Sequence, residues 1–283
     1  MITFDTLRQR PLLKWPAIIL LVWLSIYLIL VIAFRPSHDR DWELGHESLP
    51  QITYSATSSN FSIKNFRNFD WTGAKEAEIV YQDRSFDMAD MTGIDVFISH
   101  FDDFEGLAHI FLSFNFAESD NVVVSLETRR EVGESFSPLL GILRQYEIIY
   151  VIGSERDIVG LRTGFRNERV YLYPTKATPE QAQELFRRIF VEVNDVYDKP
   201  RMYNTLTHNC TNELTRPVEA MSSVNFPLTW KSVLPGYFDE ILYDLELIST
   251  DGSFIDVKNR HFIDNESVDV KSATYEQDLR QQD

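Results

Sequence analysis

A single cysteine, Cys210, occurs in 283 residues, inside the polar stretch YNTLTHNCTNEL at 203–214. A thiol reacts as its thiolate. That form is favoured at a helix N-terminus, where free backbone N–H groups and the positive end of the helix dipole lie. Thr207-His208-Asn209 reads as the loop leading into such a helix, with Asn209 and Thr211 flanking the sulfur. Backbone N–H groups at the helix start, aided by the Asn209 amide, would suit an oxyanion.

A nucleophilic cysteine also needs a base, usually a histidine from elsewhere in the fold. Of six histidines, His38 and His46 fall in a polar connector and His261 near the tail, so all three are expected at the solvent. His208 is only two positions from Cys210, and residues two apart do not face each other on a helix. His100 and His109 remain. His109 is preferred because it opens the strand-like run HIFLSFNF, where His109, Phe111, Ser113 and Asn115 share a face. The returning run NVVVSLETR puts Val123, Ser125 and Glu127 on its matching face. Glu127 is therefore expected near His109, accepting its ring N–H and fixing the tautomer, with Ser125 or Asn115 as alternatives. Residue types alone leave plainer readings open. Cys210 could be a small buried hydrophobe, His109 a hydrogen-bonded structural histidine, and Glu127 a solvated strand end.

The elements that must position these groups follow from periodicity. Trp15 to Phe34 is twenty residues without a charge, preceded by Arg8, Arg10 and Lys14. As a helix it spans about 30 Å of hydrocarbon. It ends in Ala-Phe-Arg-Pro, a poor cleavage site, so a retained anchor is expected. The basic flank predicts a cytoplasmic N-terminus (1–14), an anchor (15–34) and an inner-membrane protein whose body is periplasmic. A connector (35–60), one domain (61–264) and a polar, loosely held tail (265–283) complete the plan. The net charge of −16 argues against nucleic acid and against electrostatic adhesion to anionic lipid.

Runs at 94–101, 109–116, 121–129, 146–154, 158–163 and 169–175 carry the β-branched and aromatic content of strands. They predict a mostly antiparallel sheet of five or six strands. Thr178-Pro179-Glu180-Gln181 starts a helix that Lys199-Pro200 ends. A second helix is expected from Cys210, interrupted near Pro217, and a third in PGYFDEILYDLELI. The class is α+β: an antiparallel sheet packed with helices, behind one transmembrane helix.

Several blocks carry a resemblance: RPSHDRDW (35–42), NFRNFDW (65–71), AHIFLSFNF (108–116), SLETRREVGESFSPLLGILRQYEIIYVIGSERD (125–157), LRTGFRNERVYLYP (161–174) and YNTLTHNCTNEL (203–214). Together they resemble the periplasmic domain of the bacterial lipoprotein N-acyltransferase (Lnb) family. The resemblance implies a circularly permuted papain-like fold, similar to the lecithin:retinol acyltransferase group, with the histidine strand before the cysteine helix. It implies His109 and Cys210 as the dyad, with Glu127 as third member. The full acyltransferases carry further spans after the domain, which this sequence does not show.

The expected function is a membrane-anchored, cysteine-dependent acyltransferase or hydrolase acting on lipid or lipoprotein acyl groups, without metal or cofactor. The alternatives are a cell-wall peptidase or amidase, and a non-catalytic envelope protein that binds lipid or a partner.

Overall fold

The computed structural model describes residues 11–281. Arg8 and Arg10 of the basic flank lie outside the described residues. The first helix, α1 (Pro11–Ala33), contains an apolar stretch from Lys14 to Ile32, none of it packed against the body. Strands follow as β1 (Gln51–Tyr54), β2 (Asn60–Arg67), β3 (Asp70–Gly73), β4 (Glu76–Glu78), β5 (Tyr81–Asp87), β6 (Met91–His100), β7 (Ala108–Phe116) and β8 (Val122–Arg129). Beyond them run α2 (Pro138–Ile142), β9 (Glu147–Gly153), α3 (Glu155–Gly160), β10 (Arg169–Pro174), α4 (Pro179–Asp198) and α5 (Cys210–Met221). The last helices are α6 (Trp230–Val233), α7 (Phe238–Asp244), α8 (Phe254–Arg260) and α9 (Tyr275–Asp278).

The main sheet has eight strands in the order β1-β2-β9-β8-β7-β6-β10, with β5 also paired to β2; β3 and β4 form a separate ribbon. Its ladders are antiparallel except where β2 meets β9, at Arg67 and Gly153. A Cβ on Gly153 would lie 2.3 Å from the Arg67 carbonyl oxygen, so only glycine permits that approach. The sequence predicted fewer strands because β1 is only four residues long and β5 is largely polar and exposed.

Both faces of the sheet are covered. On one, Ile110, Leu112 and Phe114 of β7 join Phe186, Ile189 and Val193 of α4, Leu214 of α5 and Ile241 of α7. On the other, Phe111 and Val123 join Ile158 and Val159 of α3 and Tyr275 and Leu279 near the C-terminus. The cap of α4 forms as its sequence predicts: Thr178 and Gln181 make a reciprocal capping box, with Pro179 in the first turn. Its apolar stripe is the buried one.

Four expectations are corrected. The run 158–163 is α3 and a π-turn, not a strand. Ser154 caps it by accepting the Asp157 N–H, and this Ser-x-x-Asp signal was in the sequence. Helix α5 runs through Pro217 to Met221. Leu214, Val218 and Met221 pack on the core on both sides of Pro217, which offsets the lost backbone bond. The polar connector, whose histidines were expected at the solvent, is docked on the body. Buried Arg129 donates to the carbonyls of His46 (2.8 Å) and Glu47 (3.1 Å), and its guanidinium lies 4.0 Å over the Trp42 ring. The tail is also docked: Tyr275 and Leu279 are core residues, and Arg280 reaches Asp95 and Glu155.

Two of the quoted blocks meet through Asp157. Arg67 grips its carboxylate through Nε and Nη2 at 2.8 and 2.9 Å, while the Phe69 N–H and the Trp71 indole donate at 2.9 and 2.8 Å. Four donors satisfy a fully buried carboxylate. This fixes the ribbon after β2 against α3.

Candidate functional site

Strand β7 stays paired to β6 as far as His100 and Ala108, and β8 stays paired to β9 as far as Arg129 and Glu147. Between β7 and β8, however, the ladder covers only Phe114–Val122, Ser113–Val123 and Leu112–Val124. Beyond Leu112 the two strands part, and the first turn of α5 sits against both. The Ile110 N–H, no longer facing a strand partner, is turned to the Cys210 sulfur. A cleft of about 290 Å³ opens there, lined by His109, Glu127, Arg162, Tyr203, Asn209 and Cys210 among others. Side chains from opposite faces of the sheet thus reach one cavity.

Within it His109 is held directly by two neighbours, Phe111 and Ser125. Its ring stacks on Phe111 at 5.6 Å, and the Arg162 guanidinium also lies over the Phe111 ring, at 4.7 Å. His109 Nε2 lies 2.7 Å from Ser125 Oγ, and Ser125 donates its proton to Glu127 Oε1 at 3.0 Å. A hydroxyl has one proton. Having given it to the carboxylate, Ser125 must accept from His109, so the proton sits on Nε2 and the lone pair on Nδ1.

Glu127 is fixed in turn. Arg162 Nη2 donates to it at 3.0 Å, and His46 Nε2 faces its other oxygen at 3.8 Å. His46 Nδ1 accepts the Arg130 N–H at 3.1 Å, so its own proton is also on Nε2, towards Glu127. Burial works to raise the Glu127 pKa, but the His46 bond and the Arg162 charge outweigh it and hold the carboxyl well below the usual range.

Burial, aided by the guanidiniums of Arg162, Arg166 and Arg130, pushes His109 down to about 4 against the pull of Glu127. Burial likewise pushes the Cys210 thiol up, despite the N–H groups of Ile110, Thr211 and Cys210 itself. This corrects the expectation of a thiolate. The helix start is present, but Cys210 is only 6% exposed and desolvation exceeds the dipole. The resting pair is a neutral thiol and a neutral imidazole. No hydrogen bond joins His109 to Cys210 among the described residues.

The other expected residues are placed as follows. Asn209 caps α5, accepting from the Asn212 N–H at 2.8 Å, and its amide nitrogen donates to the Thr205 carbonyl at 2.7 Å. One of its two amide protons is therefore spent on the loop, while the residue itself lines the cleft. Thr211 is buried outside the cleft lining, beside the sulfur. His208 bonds Glu213 at 2.9 Å and braces the loop against α5. His100 is buried, outside the cleft lining, with its ring edge-on to Tyr171 at 5.6 Å. His46 was expected at the solvent and is 3% exposed, inside the site. Its signal was the basic pair Arg129-Arg130, whose charges needed partners that the connector supplies. Arg162 had no spacing signal. Among the described residues, no group of three His, Cys, Asp or Glu side chains is placed to hold a metal ion.

The Lnb N-terminal periplasmic domain matches residues 78–236, more than half of the chain, including His109, Ser125, Glu127, Arg162 and Cys210. The chain belongs to the Lnb family. Searches of curated proteins and of solved structures gave no match. The body of this Lnb-family protein is accordingly periplasmic, and α1 supplies a helix long and apolar enough to cross a membrane.

Proposed function

We propose that this Lnb-family chain is a cysteine-dependent acyltransferase or hydrolase that takes acyl groups from membrane lipid or lipoprotein. The observation that carries the reading is the one-way hydrogen-bond chain from His109 Nε2 through Ser125 to Glu127. It leaves the Nδ1 lone pair as the proton acceptor in a cleft that Cys210 also lines. Such a base needs no prior thiolate. His109 takes the thiol proton as the sulfur attacks an ester carbonyl carbon, and the imidazolium that forms is stabilised through Ser125 by ionised Glu127. The carbonyl electrons move to oxygen, where backbone N–H groups at the start of α5 are the available donors. Collapse of this intermediate breaks the ester bond, and His109 protonates the departing alcohol. The thioester then passes its acyl group to an amine or to water, whose proton returns by way of His109 to the sulfur. The chain order, histidine strand before cysteine helix, supports a permuted papain-like relationship.

Incubating the chain with phospholipid vesicles and analysing it by mass spectrometry tests this. A hydroxylamine-sensitive acyl adduct on Cys210, absent from His109→Ala, is expected. Wild-type turnover in Cys210→Ala would overturn the mechanism and leave a lipid- or partner-binding protein.

The proposed topology has the N-terminus in the cytoplasm and the body outside the inner membrane. Cys210 is too buried to report it. Leu228 is 96% exposed, so a Leu228→Cys variant should react with an impermeant maleimide in spheroplasts. Protection until lysis would reverse the orientation.

A further inference from the structure

Helix α1 ends at Ala33, and Ser37 donates its N–H to Glu147 Oε1, at the first residue of β9. Arg40 adds ion pairs to Glu147 (3.0 Å) and Glu131 (2.8 Å). Four residues of chain reach at most about 14 Å. The end of the sheet where β9 begins is therefore held within that reach of the end of α1. That is the end where β8 finishes, β7 begins and the cleft opens.

The loops around the cleft at this end leave a group of apolar side chains 39–64% exposed. Phe101 and Phe104 lie on the β6–β7 loop, Leu139, Leu140 and Leu143 on and after α2, and Leu206 on the loop before α5; Leu139 is 64% exposed and Leu206 53%. The loops brace one another. Thr205 donates to the Pro138 carbonyl at 2.7 Å, and the Phe101 and Phe136 rings are 6.0 Å apart. An apolar rim around a cleft is far costlier in water than single exposed leucines. The net charge of −16 gives the chain as a whole no electrostatic pull towards anionic lipid, so the contact argued here is the hydrophobic one.

We propose that this rim docks on the bilayer in which α1 is anchored, seating the cleft mouth at the headgroup level. The occupant is the lipid surface, because the anchor brings that surface to the rim and no other. The inference is independent of whether Cys210 reacts. Docked in this way, the cleft receives chains from the membrane without their crossing open water.

The test uses the full chain in phosphatidylcholine vesicles, with Cys210→Ala as background, or Cys210→Ser if the alanine variant does not fold. An environment-sensitive fluorophore is placed on Leu139→Cys, on Leu206→Cys, or on Glu118→Cys in the β7–β8 hairpin at the far end of the sheet. Blue-shifted emission at 139 and 206, quenched by doxyl-labelled lipid and unchanged by high salt, is expected, with water-like emission at 118. Water-like emission at all three sites would overturn the proposal. So would a blue shift that doxyl lipid does not quench, since that means a protein partner or a second copy covers the rim.

Discussion

Ser125 Oγ sits between His109 Nε2, at 2.7 Å, and Glu127 Oε1, at 3.0 Å, while the histidine and the carboxylate are themselves 3.9 Å apart. The hydroxyl is thus the hydrogen-bonded link between the imidazole, which also stacks on Phe111, and the carboxylate. Ser125→Ala should lower the rate of acyl-enzyme formation by about 10–100-fold, the range for loss of an orienting partner. His109→Ala should cost about 10²–10⁴-fold, as loss of a general base does. Glu127→Gln should fall between them, because its amide still accepts from Ser125 but no longer balances Arg162. Full rates in both Ser125→Ala and Glu127→Gln, read by quenched-flow mass spectrometry, would remove the relay from the mechanism.

The pH profile should report a neutral pair. His109 is held down to about 4 by burial, so the rate should fall only as pH drops through about 4, where protonation removes the base. The thiol lies above its ordinary value, so iodoacetamide should label Cys210 more slowly at neutral pH than it labels a free thiol. An acid limb near the ordinary histidine value, or fast neutral labelling, would point to a thiolate–imidazolium pair instead.

The same depression acts on stability. His109 and His100 both sit near 4 when folded, through burial, against 6.5 in the unfolded chain. Between those values only the unfolded chain binds the proton. Folding is therefore fully favoured above about 6.5 and loses up to about 3 kcal/mol per imidazole as pH falls towards 4. Denaturant titrations at several pH values should show this slope, and His109→Gln should flatten it.

Arg129 joins the connector to the site. It is fully buried, bonds the carbonyls of His46 and Glu47 and the His38 ring, and lies over Trp42. Arg129→Met should cost about 3 kcal/mol by leaving those acceptors unpaired. It should also free His46, and so raise the Glu127 pKa. An unchanged denaturation midpoint would show that the Arg129 bonds to the connector add nothing to stability.

The positions of His109, Glu127 and Cys210 were legible because strand alternation and a helix cap are local signals. Val123, Ser125 and Glu127 fall on the His109 face as their spacing requires. The parting of β7 from β8 was not legible. It depends on α5, about a hundred residues later, taking the place of a strand partner. The Cys210 environment was misjudged for a related reason: its neighbours in sequence are polar, but its neighbours in space are Ile110 and Tyr203. His46 and Arg280 were missed because polar composition reads as solvent exposure. Here buried acids on the sheet give those polar ends a place to dock.

Arg280 is the sharpest test of that last point. It binds Asp95 (Nε, 3.0 Å), both Glu155 oxygens (2.8 and 2.6 Å) and Asn115 (3.0 Å) beneath the β7 face opposite α5. Glu155 is fully buried, and burial already pushes the Asp95 pKa up despite this partner. Arg280→Ala would strand two carboxylates in the interior, which costs about 3–5 kcal/mol when a buried pair is broken on one side. The stranded groups would escape by taking up protons. The folded variant then binds more protons than its unfolded chain, so its deficit should grow as pH rises and shrink as pH falls. Chemical denaturation of wild type and Arg280→Ala at about pH 5 and about pH 8 should show the larger gap at the higher pH. Adding Glu155→Gln should restore part of the loss at the higher pH only. Equal midpoints for wild type and Arg280→Ala at both pH values would mean that the Arg280 ion pairs add nothing to the fold.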